Sequence, residues 1–263
     1  MSEYGTLLFE VRDNVAFISF NRPQAANSLN AEMGRDLMLA SIRCDEDPAI
    51  RAVVLAGKGS TFSAGGDLKS FAAYGESLPA HLKELTTYLH AAMSRFTRMD
   101  APLIGAVHGS AAGAGLSFVC ACDIVYAAES AKFTMAYTRL GLTPDGSSTY
   151  FLPRIVGLRR ALELAITNRM LSAREAMELG IVTTVVPDSE LTAASTEMAK
   201  RLASGPTRAF GGAKRLLHSG MSETIETQME LEARSIAELA KSEDGQEGIR
   251  AFVEKRPAKF LGR

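Results

Sequence analysis

Two glycine-rich turns in this chain place backbone where it could do chemistry. Thr61–Leu68 (TFSAGGDL) follows one apolar run, and Val107–Gly115 (VHGSAAGAG) follows another and opens a helical segment. Small residues let a ligand approach the main chain closely, and the N–H groups such turns expose can point at a single oxygen. A helix N-terminus adds a dipole that favours negative charge. Two converging N–H donors form an oxyanion hole, and the loss of one such donor typically slows a reaction about 10²–10³-fold. Turns needed only for tight packing would have the same composition. A third turn, Pro144-Asp145-Gly146, carries a carboxylate, although Pro-Asp-Gly is a β-turn signature in its own right.

Other chemistries fail on detail. Gly109-Ser110-Ala111-Ala112-Gly113-Ala114-Gly115 does not meet the dinucleotide pattern G-x-G-x-x-G. Lys58 is followed by Gly59 instead of the Ser or Thr of a phosphate-binding P-loop, and Ser117 lacks the flanking glycines of a serine-hydrolase elbow. The four histidines (His81, His90, His108, His218) are scattered singly, so no metal site is expected.

The elements that must position these turns alternate between strand and helix. Val15–Phe20, Arg51–Ala56, Leu103–Val107 and Asp123–Ala127 read as strands. Asn30 caps a helix to about Asp45, with Met33, Leu37, Met38 and Ile42 on one face. Further helices are expected from about Pro79 to Arg98 and between Ala114 and Cys122. The alternation argues for an α/β core. Past Asp145 the pattern turns helical: Ser172 and Glu175 form a capping box, Gly180 ends that helix, and IVTTVV is a short strand before Pro187. Helices then start near Ser189, Thr207 and Ser222, the last long and charged. No linker or repeat divides the chain. The expectation is one domain, with a core over 1–200 and a helical region over 201–263.

Composition narrows the function classes. The 263 residues are 46% hydrophobic and carry 29 basic and 30 acidic side chains, a net charge of −1. That balance excludes a dedicated nucleic-acid or anionic-membrane binder, and the absence of Trp argues against base-stacking platforms. Cys44, Cys120 and Cys122 fit no disulfide, redox or zinc spacing and are expected as small buried hydrophobes. No stretch reaches the ~18 apolar residues of a membrane span. The N-terminal MSEYGTLLFEVRD lacks the regions of a secretory leader, so a cytoplasmic location is expected.

Several motifs together resemble those of the crotonase (enoyl-CoA hydratase/isomerase) superfamily. They are Asn21-Arg22-Pro23, FSAGGDL, the loop His108–Gly115, Cys122-Asp123-Ile124, Ala131-Lys132-Phe133, Leu152–Gly157 and the terminal Gly248-x-x-Ala251-Phe252-x-Glu254-Lys255-Arg256, in family order over essentially the whole chain. The resemblance implies a crotonase-like superhelix of β-β-α units with a C-terminal helical trimerisation region. It also implies an acyl-CoA thioester as substrate, no metal, no cofactor beyond that CoA, and assembly as a homotrimer or dimer of trimers. The amphipathic stretch from Met221 to Lys241 is compatible with such assembly.

By position, the resemblance makes the N–H groups of Gly66 and Ala114 the oxyanion donors, Ala114 standing where relatives have glycine. The backbone near Ala64 and Leu68 would lie beside the adenine end of CoA, while Asp67 fixes its loop or caps the next helix. Hydratases of this family use two glutamates, and the aligned positions here hold Ser117 and Tyr137, which orient substrate or fill the vacated space. Asp145 instead matches the subgroup with a single acidic base in a G-L-x-P-D loop, which includes ring-1,2-epoxyphenylacetyl-CoA and Δ3,Δ2-enoyl-CoA isomerases. One carboxylate suffices to move a proton across an allylic system. The expected activity is therefore isomerisation of an unsaturated acyl-CoA, with an unconventional hydratase or a non-catalytic acyl-CoA binder as alternatives. The candidates for the CoA phosphates are Arg22, Lys69, and Lys259 with Phe260. The acyl pocket is expected along Phe71–Leu89.

Overall fold

The computed structural model describes residues 4–263. Strands β1 (Leu7–Arg12) and β2 (Val15–Phe20) form a hairpin around Asp13-Asn14, whose φ angles of 51° and 59° suit the two-residue turn that matches strand twist. Helix α1 (Ala31–Glu46) starts where the Asn30 side chain accepts the Met33 N–H, and it buries Met33, Leu37, Ala40 and Cys44 along one stripe. Strand β3 (Ala52–Gly57) then runs parallel to β2. The short α2 (Leu68–Ala72) and the long α3 (Leu78–Phe96) follow, leading to β4 (Leu103–Val107), in which every residue is buried.

From β4 onward long and short strands alternate. Strand β5 (Ser110–Ala112) and helix α4 (Ala114–Ala121) complete one β-β-α unit, and β6 (Ile124–Ala128) with β7 (Lys132–Thr134) begins the next. Helices α5 (Ser148–Val156) and α6 (Leu158–Thr167) precede β8 (Leu171–Ser172), α7 (Ala173–Glu178) and β9 (Thr184–Val186). Five longer strands and the short β9 form one six-stranded sheet in the order β1-β2-β3-β4-β6-β9, parallel except at the β1–β2 hairpin. The short strands form a second sheet, β5-β7-β8. Four helices close the chain: α8 (Leu191–Ala203), α9 (Thr207–Ser219), α10 (Ile225–Leu239) and α11 (Glu243–Val253). No helix among the described residues is long and apolar enough to cross a membrane.

The four expected strands and the helices around them are present with shifts of one or two residues. The capping box at Ser172–Glu175 is complete. Three features differ from expectation. Strand β1 went unread because Leu7, Leu8 and Phe9 break the alternation, although the Asp-Asn turn marks the hairpin. The short strands of the second sheet carry too few residues for a pattern. The long helix expected from Ser222 is α10, capped by Thr224, while α11, with its own cap at Ser242, went unread.

The two glycine turns meet along a backbone seam between the sheets. The Ser63 N–H donates to Ser110 O at 3.0 Å and the Ala112 N–H to Ser63 O at 2.9 Å. On the other side, the Leu29 N–H donates to Gly65 O at 2.7 Å and the Asp67 N–H to Leu29 O at 2.9 Å. Gly65 has φ +96°, and a Cβ there would lie 2.8 Å from Ala112 O. Both conformation and space demand glycine. Gly65→Ala is expected to cost about 1–3 kcal/mol through strain and contact. Thermal melting reads this as a drop of about 5 °C, and an unchanged melting curve would show that the seam is free to open.

Candidate active site

A cavity of about 410 Å³ opens where the seam meets α3 and the loop before α5. Its walls include Ala64, Gly66 and Leu68 from the first turn, and Gly113 and Ala114 from the second. Phe71, Leu82 and Leu85 supply an apolar face, as expected for the Phe71–Leu89 region. Gly66 and Ala114 both line this space, and their main-chain N–H groups donate to no acceptor among the described residues. Ala114 is the first residue of α4, so its N–H is one of the groups that a helix leaves unpaired. Gly113, with φ 54° and ψ −122°, turns the chain into that helix. Such free donors at a helix start suit an oxygen that gains negative charge.

Among the described residues, Asp145 is the one carboxylate lining this cavity. The Tyr137 hydroxyl donates to its Oδ1 at 2.6 Å, which leaves Oδ2 available. Ser117, fully buried on α4, sits 3.0 Å from the Tyr137 oxygen and donates to the Asp145 carbonyl at 2.9 Å. Ser148 Oγ donates to that same carbonyl, also at 2.9 Å, which anchors the loop at the start of α5. Gly146 adopts φ +59° with the Ser117 side chain against it, so the Pro-Asp-Gly segment serves as a turn and presents a carboxylate together. His90 of α3 stands beside it, its Nε2 accepting the Gly146 N–H at 3.4 Å.

These surroundings oppose one another electrostatically. Burial pushes the Asp145 carboxyl above the ordinary aspartate range, while the Tyr137 hydrogen bond and the neighbouring His90 draw it back only partly. Burial, reinforced by the adjacent Asp145, pushes the Tyr137 phenol up, so it stays protonated and remains a donor. Asp67 behaves the other way. Burial raises it, but hydrogen bonds from Arg22 and the Ser70 N–H outweigh that and hold it low.

The structure brings Gly66, Ala114, Ser117, Tyr137 and Asp145 together, with Ala64 and Leu68 at the rim. The cationic candidates are placed otherwise. Arg22 is committed: its guanidinium pairs with Asp67 at 2.8 Å and bonds the Ser28 carbonyl, so it buttresses the first glycine turn and is not free for a phosphate. Asp67 caps α2 as well, accepting the Ser70 N–H. Lys69 is exposed on α2 and does not line the cavity. Lys259 and Phe260 lie against α11, where the Lys259 N–H donates to Glu247 at 3.0 Å and Phe260 packs on Gly248, away from the cavity in the same chain. The cations that do line it are Lys83 and Arg139. Lys83 lies one helical turn before Thr86 on α3, and both line the cavity. No local signal pointed to His90, which meets Asp145 from fifty-five residues away.

The family model for enoyl-CoA hydratase/isomerase matches residues 10–263. The chain belongs to the enoyl-CoA hydratase/isomerase family. It is 40% identical over 260 residues to a Rhodobacter capsulatus protein named "Probable enoyl-CoA hydratase", covering 99% of each chain. Identity is 37% over 260 residues to the 1,2-epoxyphenylacetyl-CoA isomerase of Escherichia coli, covering 98% of each. It is 36% over 228 residues to an Arthrobacter 4-chlorobenzoyl coenzyme A dehalogenase, covering 86% of this chain and 83% of that one. Among solved structures, an enoyl-CoA hydratase from Bacillus anthracis superposes with a TM-score of 0.91 at 32% identity, covering 98% of this chain and all of that one. The α/β architecture described above is thus the crotonase fold of an acyl-CoA enzyme.

The raised Asp145 carboxyl has a consequence for stability. Its folded value lies above the ordinary 3.8, so between the two the folded chain holds more protons than the unfolded one. Stability contributed by this group is therefore lost as pH rises through that window. Asp145→Asn keeps an acceptor for Tyr137 and removes the buried charge. The variant is expected to melt higher than the parent at pH 8, with the difference shrinking as pH falls towards 4. A variant that melts lower at pH 8 would show that the carboxylate is stabilised by its surroundings.

Proposed function

We propose that this enzyme isomerises unsaturated acyl-CoA thioesters through an enolate, shifting the double bond between the β,γ and α,β positions. The observation that carries this reading is the single cavity carboxylate, Asp145, facing two free N–H donors. The thioester oxygen accepts from Gly66 and Ala114. Asp145 takes a proton from the α-carbon, and that C–H pair becomes the C1–C2 π bond of a dienolate whose charge rests on the oxygen. The same carboxyl returns the proton to the γ-carbon, leaving the conjugated thioester. No cofactor beyond the CoA of the substrate is called for.

Tyr137 and Ser117 act here as positioning residues. Two hydroxyl protons serve three close contacts. The Tyr137 proton goes to Asp145 Oδ1, and the Ser117 proton is shared between the Asp145 carbonyl and the Tyr137 oxygen. The carboxylate is thus held in one orientation, with one oxygen free. A water-adding enzyme would want a second acid or base at this spot, and here both positions are spent on holding Asp145. We also read the exposed apolar stripe Leu158, Leu162 and Ile166 on α6 as a face covered by further copies, in a homotrimer or dimer of trimers that sedimentation velocity would reveal.

The test uses a 3-enoyl-CoA in D₂O followed by NMR. Double-bond migration with deuterium at the α or γ carbon is expected, falling by about 10³-fold or more in Asp145→Asn, as befits loss of the proton-transfer group. Addition of water at comparable rate would replace this reading with a hydratase. In Tyr137→Phe the carboxylate loses the hydrogen bond that lowers its pKa. The acid limb of its kcat/KM profile is therefore expected to move to higher pH, with the plateau rate reduced less than in Asp145→Asn. An unmoved limb would show that Tyr137 does not act on the titrating group.

A further inference from the structure

Asp145 also lines a second chamber of about 830 Å³, between α3, the start of α5 and the end of α9. If the thioester oxygen sits at Gly66 and Ala114 and the reacting carbons at Asp145, an acyl chain that runs past Asp145 enters this space. Its walls are unlike those of the first cavity. Met93 and Phe151 are its apolar surfaces, and along α3 it is faced by His90, Ser94 and Arg98. These three residues are spaced by four, so they form one polar ladder on the face of the helix and its C-terminal end, about 6 Å per step. From α9, His218 and Ser219 face the same space.

The charge in this chamber is unevenly satisfied. Arg215 is paired with Asp100 at 2.6 Å. Arg98 has no carboxylate partner among the described residues; its guanidinium folds back one turn and donates to Ser94 Oγ at 2.9 Å. That places a free cation about one helical turn beyond His90, and hence beyond Asp145. Burial, together with Lys214 and Arg98 nearby, holds the His218 imidazole below its ordinary value in spite of Asp123, so near neutral pH it offers a hydrogen bond without charge. Glu223 is the other carboxylate of the chamber besides Asp145 and lies on its exposed rim.

From this arrangement we infer that the enzyme prefers acyl-CoA substrates of medium chain length whose far end bears a carboxylate, bound by Arg98 with hydrogen bonds from Ser94 and His218. The inference rests on the isomerase reading for the direction of the acyl chain. It goes beyond that reading in naming the substrate class. A hydrocarbon tail would gain little here, since it would strip water from Arg98, Ser94, Ser219 and His218 and return nothing to them. A terminal carboxylate replaces that water with charge-assisted hydrogen bonds.

The experiment compares 3-enoyl-CoAs of equal medium length ending in a methyl or a carboxylate, with a short 3-enoyl-CoA as reference. The saturated thioesters of both kinds serve as competitive inhibitors, so that binding is read without turnover. Arg98 is exposed, so the carboxylate series is expected to lead by about three- to fivefold in kcat/KM and in Ki, the worth of a solvent-screened ion pair. In Arg98→Met the lead should vanish while activity on the short substrate is unchanged. Equal Ki values for the two series, or a lead that survives in Arg98→Met, would overturn the inference. Isomerisation of the short substrate without any preference would defeat this inference alone. A preference in Ki without isomerisation of any substrate would defeat the isomerase reading and leave the distal site standing.

Discussion

The backbone seam between the two glycine turns is the constraint on which the rest of the site depends. Ser63 exchanges main-chain hydrogen bonds with Ser110 and Ala112, while Leu29 bonds Gly65 and Asp67 on the other side. Glycine at 65 and 115 leaves no side chain to hold the strands apart: a Cβ on Gly115 would run into the Ser63 carbonyl. The outcome is that two N–H groups, Gly66 and Ala114, have no partner in a structure where buried donors nearly always find one. Everything beneath the seam keeps them that way. Asn27 reaches the carbonyls of Lys58 and Thr61, and Arg22 grips Asp67 and Ser28, so the loop cannot relax to satisfy its own donors. A preorganised pair of donors costs no reorganisation when charge develops, which is where such sites gain their rate advantage.

Asp145 has the opposite character, since its surroundings are set against its charge. It sits half-buried over an apolar cavity, and Tyr137, the neighbouring His90 and its own backbone N–H favour the carboxylate form. A carboxyl in ordinary solvent is too weak a base to take an α-proton efficiently near neutral pH. Raising its pKa brings it closer to the matching condition for proton transfer. Tyr137 moderates this instead of cancelling it. A phenol that stays protonated contributes one directed hydrogen bond and no second titrating group. The balance leaves one carboxylate oxygen oriented and the other without a hydrogen-bond partner among the described residues.

Much of the scaffold was legible in the chain because its causes are local. The Asn30 cap, the Ser172–Glu175 capping box and the buried runs of β3 and β4 each announce themselves within a few residues. The glycine turns were legible for the same reason, as glycine at those spacings is conspicuous. The motif resemblance then named which N–H groups to look at. What stayed hidden is whatever depends on distant chain meeting distant chain. Arg22 looked like a free cation because its partner Asp67 lies forty-five residues on. His90 looked isolated because nothing near it in sequence says that α3 runs past the loop of Asp145. Ser117 and Tyr137 were visible only as missing glutamates. That they hydrogen-bond each other and Asp145 is a property of the fold alone.

The relation between Ser117, Tyr137 and Asp145 bears on how a single scaffold supports several chemistries. In the proposed reaction, stabilising the thioester enolate falls to main-chain groups, which side-chain substitution leaves untouched; even alanine at 114 preserves the N–H. The fate of the enolate is decided by which carboxylates reach it. Placing a serine on α4 and a tyrosine in the loop after β7, with the carboxylate on the turn before α5, gives in the proposed reaction a site built around a single base instead of an acid and a base on either side of a double bond. The three groups fit only as a set: a glutamate at 117 would crowd Gly146 and leave two buried carboxylates in repulsion, raising one of them sharply. Ser117 therefore belongs with Asp145 for steric and electrostatic reasons together, and the serine is the residue that makes room for the aspartate's turn.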